Sequence, residues 1–313
     1  MKPDMRVRFA GIELVNPVIA ASGTFGYGVE FEEIVSFRRI GGFVTKGISR
    51  EPMAGNQAPR LIETAAGMIN AIGLQNVGVE KFIADKLPPM RPYPTCAVIV
   101  NVFGYAIEDY VAVIRRLNDA EGIAAYELNA SCPNTRHGGM AFGSDTKMLF
   151  ELVTSAKQSA TRPLIVKLSP NVTSIASMAR VSQEAGADAV SLVNTFLSLS
   201  IDVETRRPRL WNITGGLSGP AIRPIAVRMI WEAAKAVTIP IIGLGGITTA
   251  EDAVEFLLAG ATAVQVGTAS YADPRATERI AQDLEQWCAR HHVARAAELT
   301  GAVDLSPPTP PAA

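Results

Sequence analysis

The sequence predicts an α/β fold: a single-domain (β/α)8 barrel with inserted loops at the C-terminal face of its strands. Three observations lead there. Eight short apolar runs alternate with eight segments of helical spacing along 313 residues. Most of the runs are continuously apolar, which is the pattern of a parallel sheet covered by helices. Each run is followed by a polar side chain or a glycine pair, and in a parallel barrel those positions share one face. An open doubly wound sheet would need a glycine fingerprint after its first strand. Ser22-Gly23-Thr24-Phe25-Gly26 does not fit that spacing.

Taken in order, strands are expected at Val18–Ala21, Gly42–Thr45, Ala97–Val100, Ala124–Leu128, Leu164–Val166, Ala189–Val193, Ile239–Leu244 and Ala263–Val266. Pro163 and Pro240 sit where strands begin, and Pro133 cannot extend a ladder past Cys132. Helical spacing is expected over Glu30–Phe37, Val79–Leu87, Tyr110–Leu117, Met148–Ser159, Ile175–Ala185, Ala226–Val237, Ala250–Leu258 and Glu278–His291. Pro88-Pro89, Gly186 and Gly260 close three of these segments. Leu61–Leu74, broken by Gly67 and Gly73, reads as an inserted loop or hairpin, and Phe196–Gly219 as a second insertion. Residues 1–305 form the expected domain. The proline-rich tail 306–313 is expected to be disordered.

Composition narrows the function classes. At 48% hydrophobic residues the chain can bury a sizeable core. Its 29 basic and 30 acidic residues leave a net charge of -1, which points to no nucleic acid and no anionic membrane surface. No apolar run approaches the ~20 residues that span a bilayer, and no apolar signal region follows Met1–Arg6. Cys96, Cys132 and Cys288 are widely spaced, so no metal site and no iron–sulfur cluster is expected from this chain alone. A sparse, odd cysteine count fits a reducing, cytoplasmic setting.

The residues after the strands are Ser22, Lys46, Asn101, Asn129, Lys167, Asn194-Thr195, Gly245-Gly246 and Gly267-Thr268. Glycines after strands seven and eight occupy the position where barrels bind phosphate through backbone N–H groups. Ordinary turn glycines are the plain alternative for either one alone. Lys46 and Lys167 are the cations of the set. They could hold a substrate carboxylate or stabilise negative charge on a reduced flavin ring, with structural ion pairs as the plain alternative. Asn70, Asn101, Asn129, Asn134 and Asn194 offer paired donors and acceptors, which suit a flat heterocycle such as a pyrimidine or the pyrimidine ring of a flavin. Cys132 lies among hydrogen-bonding groups at a strand end, beside a glycine-rich segment, His137–Gly143, that could close over a site. A lone cysteine is otherwise most often a small buried hydrophobe.

Several stretches together resemble the class 1 dihydroorotate dehydrogenases. They include Asn16-Pro17-Val18-Ile19-Ala20-Ala21-Ser22-Gly23-Thr24-Phe25-Gly26, Asn70-Ala71-Ile72-Gly73-Leu74-Gln75-Asn76, Asn129-Ala130-Ser131-Cys132-Pro133-Asn134, Lys167-Leu168-Ser169-Pro170-Asn171, Gly215-Gly216-Leu217-Ser218-Gly219 and Gly243-Leu244-Gly245-Gly246-Ile247. The matching stretches run from about Arg6 to Gly301. The resemblance implies an FMN-containing barrel that oxidises (S)-dihydroorotate to orotate in pyrimidine synthesis. It assigns FMN contacts to Ser22, Lys46, Gly47, Asn101, Asn129, Lys167, Val193, Gly219, Gly245, Gly246, Gly267 and Thr268. It assigns substrate contacts to Lys46, Asn70, Ala71, Ile72, Gly73, Leu74, Asn129, Asn194 and Thr195, and the base to Cys132. The membrane-bound class of the family carries an N-terminal extension and a serine base, and this sequence shows neither.

Ser22-Gly23-Thr24-Phe25-Gly26-Tyr27-Gly28 and Thr45-Lys46-Gly47-Ile48-Ser49 look like the NAD-linked type. That type implies a homodimer core within a heterotetramer, whose partner is an iron–sulfur flavoprotein subunit with FAD and a [2Fe–2S] cluster. The alternatives are a fumarate-linked homodimer and a dihydropyrimidine dehydrogenase-like flavoenzyme. From a different class come a flavin-free phosphate-binding lyase or isomerase and a non-catalytic assembly subunit.

Overall fold

A computed structural model describes residues 2–130 and 142–306. Eight parallel strands close a barrel: β1 (Val18–Ala20), β2 (Gly42–Val44), β3 (Ala97–Val102), β4 (Ala125–Asn129), β5 (Leu164–Lys167), β6 (Ala189–Leu192), β7 (Ile241–Leu244) and β8 (Ala263–Val266). Each pairs with its neighbours in sequence, and β8 pairs with β1 through Val264↔Val18 to close the ring. Burial on both faces explains the continuous apolar runs: every residue of β1, β5, β6, β7 and β8 is buried.

Helices α1 (Ile107–Asn118), α2 (Thr146–Ser159), α3 (Ile175–Glu184), α4 (Arg223–Ala234), α5 (Ala250–Leu258) and α6 (Ala276–Arg290) cover the barrel. In α1 the buried residues are Tyr110, Val113, Ile114 and Leu117, one stripe at helical spacing. Asp145 and Thr249 start α2 and α5 by accepting from Met148 N and Asp252 N. α4 begins three residues earlier than its apolar spacing suggests. The turn Pro220–Ile222 runs straight into it, and Pro224 is tolerated in a first helical turn.

The expected helix at Glu30–Phe37 is absent. Only a 3-10 turn, Val29–Phe31, forms there. Phe31 stacks on Phe25 at 4.0 Å, and Phe37 meets the same ring edge-on at 6.1 Å. Residues six apart lie on different faces of a helix, so packing both rings on Phe25 requires a non-helical chain. The expected helix at Val79–Leu87 is one α-turn, Val79–Lys81, that widens into a π-turn, Phe82–Lys86.

An N-terminal hairpin, Val7–Phe9 with Ile12–Leu14, was not anticipated; it buries Val7, Phe9 and Leu14 in the main core. The two insertions prove to be parts of one sheet. Its strands are Phe196–Leu199, Thr214–Ser218, Gly67–Asn70 and Leu61–Thr64, in that spatial order and all antiparallel. No helix among the described residues is long and apolar enough to cross a membrane, and no cluster of three or more metal-ligating side chains occurs among them.

Candidate active site

The C-terminal ends of the strands and the inserted sheet enclose one pocket. From the barrel come Ser22, Lys46, Gly47, Asn129, Lys167, Val193, Asn194, Thr195, Gly245, Gly246, Gly267 and Thr268. From the first insertion come Met68, Asn70, Ile72, Gly73 and Leu74, and Ser218 comes from the second. The pairing of Gly216 with Asn70 registers the two insertions, so Asn70 and Ser218 come to one wall from distant parts of the sequence.

Among the described residues the two lysines, Lys46 and Lys167, have no salt-bridge partner, which removes the structural reading for both. Lys167 is only 6% exposed. Burial, reinforced by the positive charge of Arg60, pulls the Lys46 ammonium below the usual lysine range. A buried cation without a counter-ion prepares a place for an anionic ligand group.

Amides and hydroxyls occupy the same wall. Asn194 Nδ2 lies 3.5 Å from Asn129 Oδ1, and Asn194 Oδ1 accepts from Thr195 N at 2.9 Å. Asn70 Nδ2 reaches Gly216 O at 3.4 Å. Thr268 donates to Ser218 Oγ at 2.8 Å, tying β8 to the insertion. At the glycine end the backbone is crowded. A Cβ on Gly246, whose φ is 81°, would sit 2.6 Å from Gly219 O, and one on Gly245 would sit 2.9 Å from Ala226 Cβ. Only glycine lets the chain turn there and expose its N–H groups.

Three of the expected contact residues stand behind the pocket wall. Asn101 lies within β3, not past its end, and is fully buried, its Nδ2 donating to Glu127 Oε1 at 2.8 Å. Ala71 is fully buried in a small core with Ile69 and Leu210. Gly219 packs its carbonyl against Gly246. Cys132, Asn134 and most of the His137–Gly143 segment lie outside the described residues. The remaining cysteines are remote from the pocket: Cys96 and Cys288 are buried in the main core, and burial pushes the Cys96 thiol up to about 12.

The sequence reading passed over Glu127, Ser191 and Gln265, which meet inside the barrel; Gln265 also reaches the pocket. The signal was available. Glu127 interrupts an apolar strand two residues before Asn129, and residues two apart in a strand share a face.

A sequence model of the dihydroorotate dehydrogenase family matches residues 4–287. The chain belongs to that family. A relative from Solibacter usitatus, 60% identical over 96% of this chain and 99% of its own length, is named a putative dihydroorotate dehydrogenase A (fumarate). Relatives from Pelobacter propionicus and Geobacter sulfurreducens are named catalytic subunits of dihydroorotate dehydrogenase B (NAD(+)). They are 54% and 53% identical, each over 97% of this chain and 100% and 99% of their own lengths.

Dihydroorotate dehydrogenases are flavin-dependent, and the pocket fits such a group on three counts. Two buried carbonyl oxygens, Asn101 Oδ1 and Gln265 Oε1, have no hydrogen-bond partner among the described residues. Lys167 supplies a buried lysine on the wall with no salt bridge to a described residue. Glycines at the ends of β7 and β8 bring bare backbone to the pocket, the kind of cradle that takes a phosphate.

Proposed function

We propose that this chain oxidises (S)-dihydroorotate to orotate in pyrimidine synthesis, with FMN as its cofactor, and passes the electrons to a partner subunit that reduces NAD. The observation that carries this reading is one pocket holding two lysines without a salt bridge to any described residue, an amide wall and a glycine cradle in a chain of this family. Ser22, Lys46, Gly47, Asn129, Lys167 and Val193 would hold FMN along its ring. Gly245, Gly246, Gly267 and Thr268 would hold its phosphate, and Asn101 and Gly219 would act from behind the wall.

Lys46, Asn70, Asn129, Asn194 and Thr195 would fix the substrate's carboxylate and the N–H and C=O edges of its ring, backed by Ala71 to Leu74. This positioning removes the entropy cost of alignment from the reaction step. Cys132 is the proposed base. A free thiol of pKa about 8.5 is readily tuned to take the C5 proton near neutral pH. Loss of that proton and of the C6 hydride leaves the C5–C6 double bond of orotate. When bound, FMN supplies the hydride acceptor.

The NAD-linked assignment rests on the resemblance of Ser22–Gly28 and Thr45–Ser49 to that type and on the names of the Pelobacter and Geobacter relatives. This chain has no dinucleotide fingerprint and three cysteines in all, so NAD, FAD and a [2Fe–2S] cluster would belong to the partner. The name of the Solibacter relative favours a second reading, a homodimer that uses fumarate. Assays of the purified chain with dihydroorotate and either fumarate or NAD, with and without an iron–sulfur flavoprotein, separate the two. NAD reduction only with the partner supports the first reading; efficient fumarate reduction by the chain alone establishes the second.

A further inference from the structure

Glu127 is fully buried in the middle of β4. Barrel interiors are ordinarily filled by layers of branched aliphatic side chains, and burying a carboxylate is costly. No described residue forms an ion pair with it. Instead it accepts from Asn101 Nδ2 at 2.8 Å, Ser191 Oγ at 2.8 Å and Gln265 Nε2 at 2.9 Å. Four strands, β3, β4, β6 and β8, thus converge on one polar layer beneath the pocket.

This layer has a directional consequence. A side-chain amide presents NH2 on one side and a carbonyl oxygen on the other. With both NH2 groups turned to Glu127, the carbonyl oxygens of Asn101 and Gln265 face away from it. Those two oxygens are buried without a hydrogen-bond partner among the described residues, a state that costs roughly 1–3 kcal/mol per group. Asn101 Oδ1 lies under the pocket-lining Gly47, where a Cβ would stand 3.0 Å from it. Gln265 itself reaches the pocket wall, two residues before Gly267.

We infer that Glu127 is a positioning residue: it locks the Gln265 and Asn101 amides so that their carbonyl oxygens form an acceptor floor for a ring N–H of the bound cofactor. The inference rests on the flavin reading above. An oxidised flavin ring carries a single N–H, at N3 of its pyrimidine ring, so a floor of acceptors selects one edge and one orientation. The cofactor is favoured over the substrate by position. The layer lies inside the barrel on the strand that leads to Gly267-Thr268, whereas Asn70 and its neighbours reach the pocket from the inserted sheet.

The test compares wild type, Glu127→Gln, Gln265→Met and the double variant. Each apoprotein is titrated with FMN, and the N3–H signal of isotope-labelled FMN is followed by NMR in each complex. In Glu127→Gln an NH2 replaces one acceptor oxygen, so an amide of the layer must turn over. Each single variant is expected to weaken FMN binding about tenfold, on the scale of one hydrogen bond. The double variant should bind no worse than the weaker single, because both act through one contact. The N3–H signal, shifted and protected from exchange in wild type, should move toward that of free FMN. A purely structural role would lower the melting temperature and leave the N3–H signal unchanged, which overturns the inference. If Glu127→Gln does not fold, Gln265→Met decides alone, and wild-type affinity and signal in that variant overturn the inference. FMN binding by wild type with an N3–H signal like that of free FMN overturns this inference only. No FMN binding by wild type overturns the flavin reading and this inference with it.

Discussion

Two side chains carry the sharpest expectations at the scale of single residues. Cys132→Ser should retain FMN and lose about a hundred- to ten-thousand-fold in turnover near neutral pH, because an unassisted serine hydroxyl is a far weaker base than a thiolate. Residual turnover should rise with pH, and a steady-state pH profile checks both points; a near-wild-type rate at neutral pH would exclude Cys132 as the base. Lys46 adds a second pH dependence. Its pKa is depressed in the folded chain, first by burial and then by Arg60, so the unfolded chain keeps this proton to higher pH. The group's contribution to stability therefore rises as pH climbs from the lowered value to the ordinary lysine value. Binding of an anionic ligand runs the other way, since it needs the charged ammonium. Orotate affinity should fall with pH before an ordinary lysine would titrate. Lys46→Arg should move that fall to higher pH, because a guanidinium keeps its charge. Orotate titrations across pH that are flat for wild type would exclude a charged contact at Lys46.

Glycines in the connecting elements decide whether the pocket has its shape. A Cβ on Gly216 would stand 1.9 Å from Thr195 Oγ1, on the wall proposed to hold substrate. Gly216→Ala should raise the KM for dihydroorotate at least severalfold and leave FMN affinity nearly unchanged. Gly246→Ala, blocked by Gly219 O at 2.6 Å and by its positive φ, should do the reverse and weaken FMN binding about tenfold or more. Fluorescence titration with FMN beside a KM measurement separates the two effects, and equal damage to both in either variant would merge the two ends of the pocket.

These elements also show what was legible beforehand. The barrel strands could be read from the sequence because burial on both faces leaves an unbroken apolar signature. Ser22, Lys46, Asn129 and Lys167 could be read because strand ends are marked by polarity. The pairing of Thr214–Ser218 with Gly67–Asn70 could not, since its two strands are far apart in sequence and short, glycine-containing strands carry little local pattern. Asn101 reads as a residue past a strand end because its polarity matches that of Ser22, Lys46, Asn129 and Lys167 after the other strands. In the fold it belongs to the buried layer around Glu127, where the carboxylate and not solvent accepts from its NH2 group. The missing helix at Glu30–Phe37 has a tertiary cause, the aromatic cluster on Phe25.

For the whole molecule, the barrel supplies a rigid frame and the inserted sheet supplies specificity. The Gly42–Val44 and Ala189–Leu192 strands that precede the two insertions belong to one closed ring, so the sheet above them is anchored at two points of the mouth. Electrons that enter this pocket must also leave it. The isolated chain should pass them from dihydroorotate to artificial dyes and reduce NAD poorly, and an FAD- and [2Fe–2S]-containing partner should restore NAD reduction. Efficient NAD reduction by the chain alone would refute the two-subunit reading. The central claim, flavin-dependent oxidation of dihydroorotate in this pocket, is tested most directly by one anaerobic turnover. The purified chain, reconstituted with FMN, is mixed with dihydroorotate without any external acceptor while flavin absorbance and orotate are followed together. The account predicts loss of the oxidised flavin spectrum with one orotate formed per flavin. An FMN-loaded chain whose flavin stays oxidised in excess dihydroorotate, with no orotate formed, would contradict it.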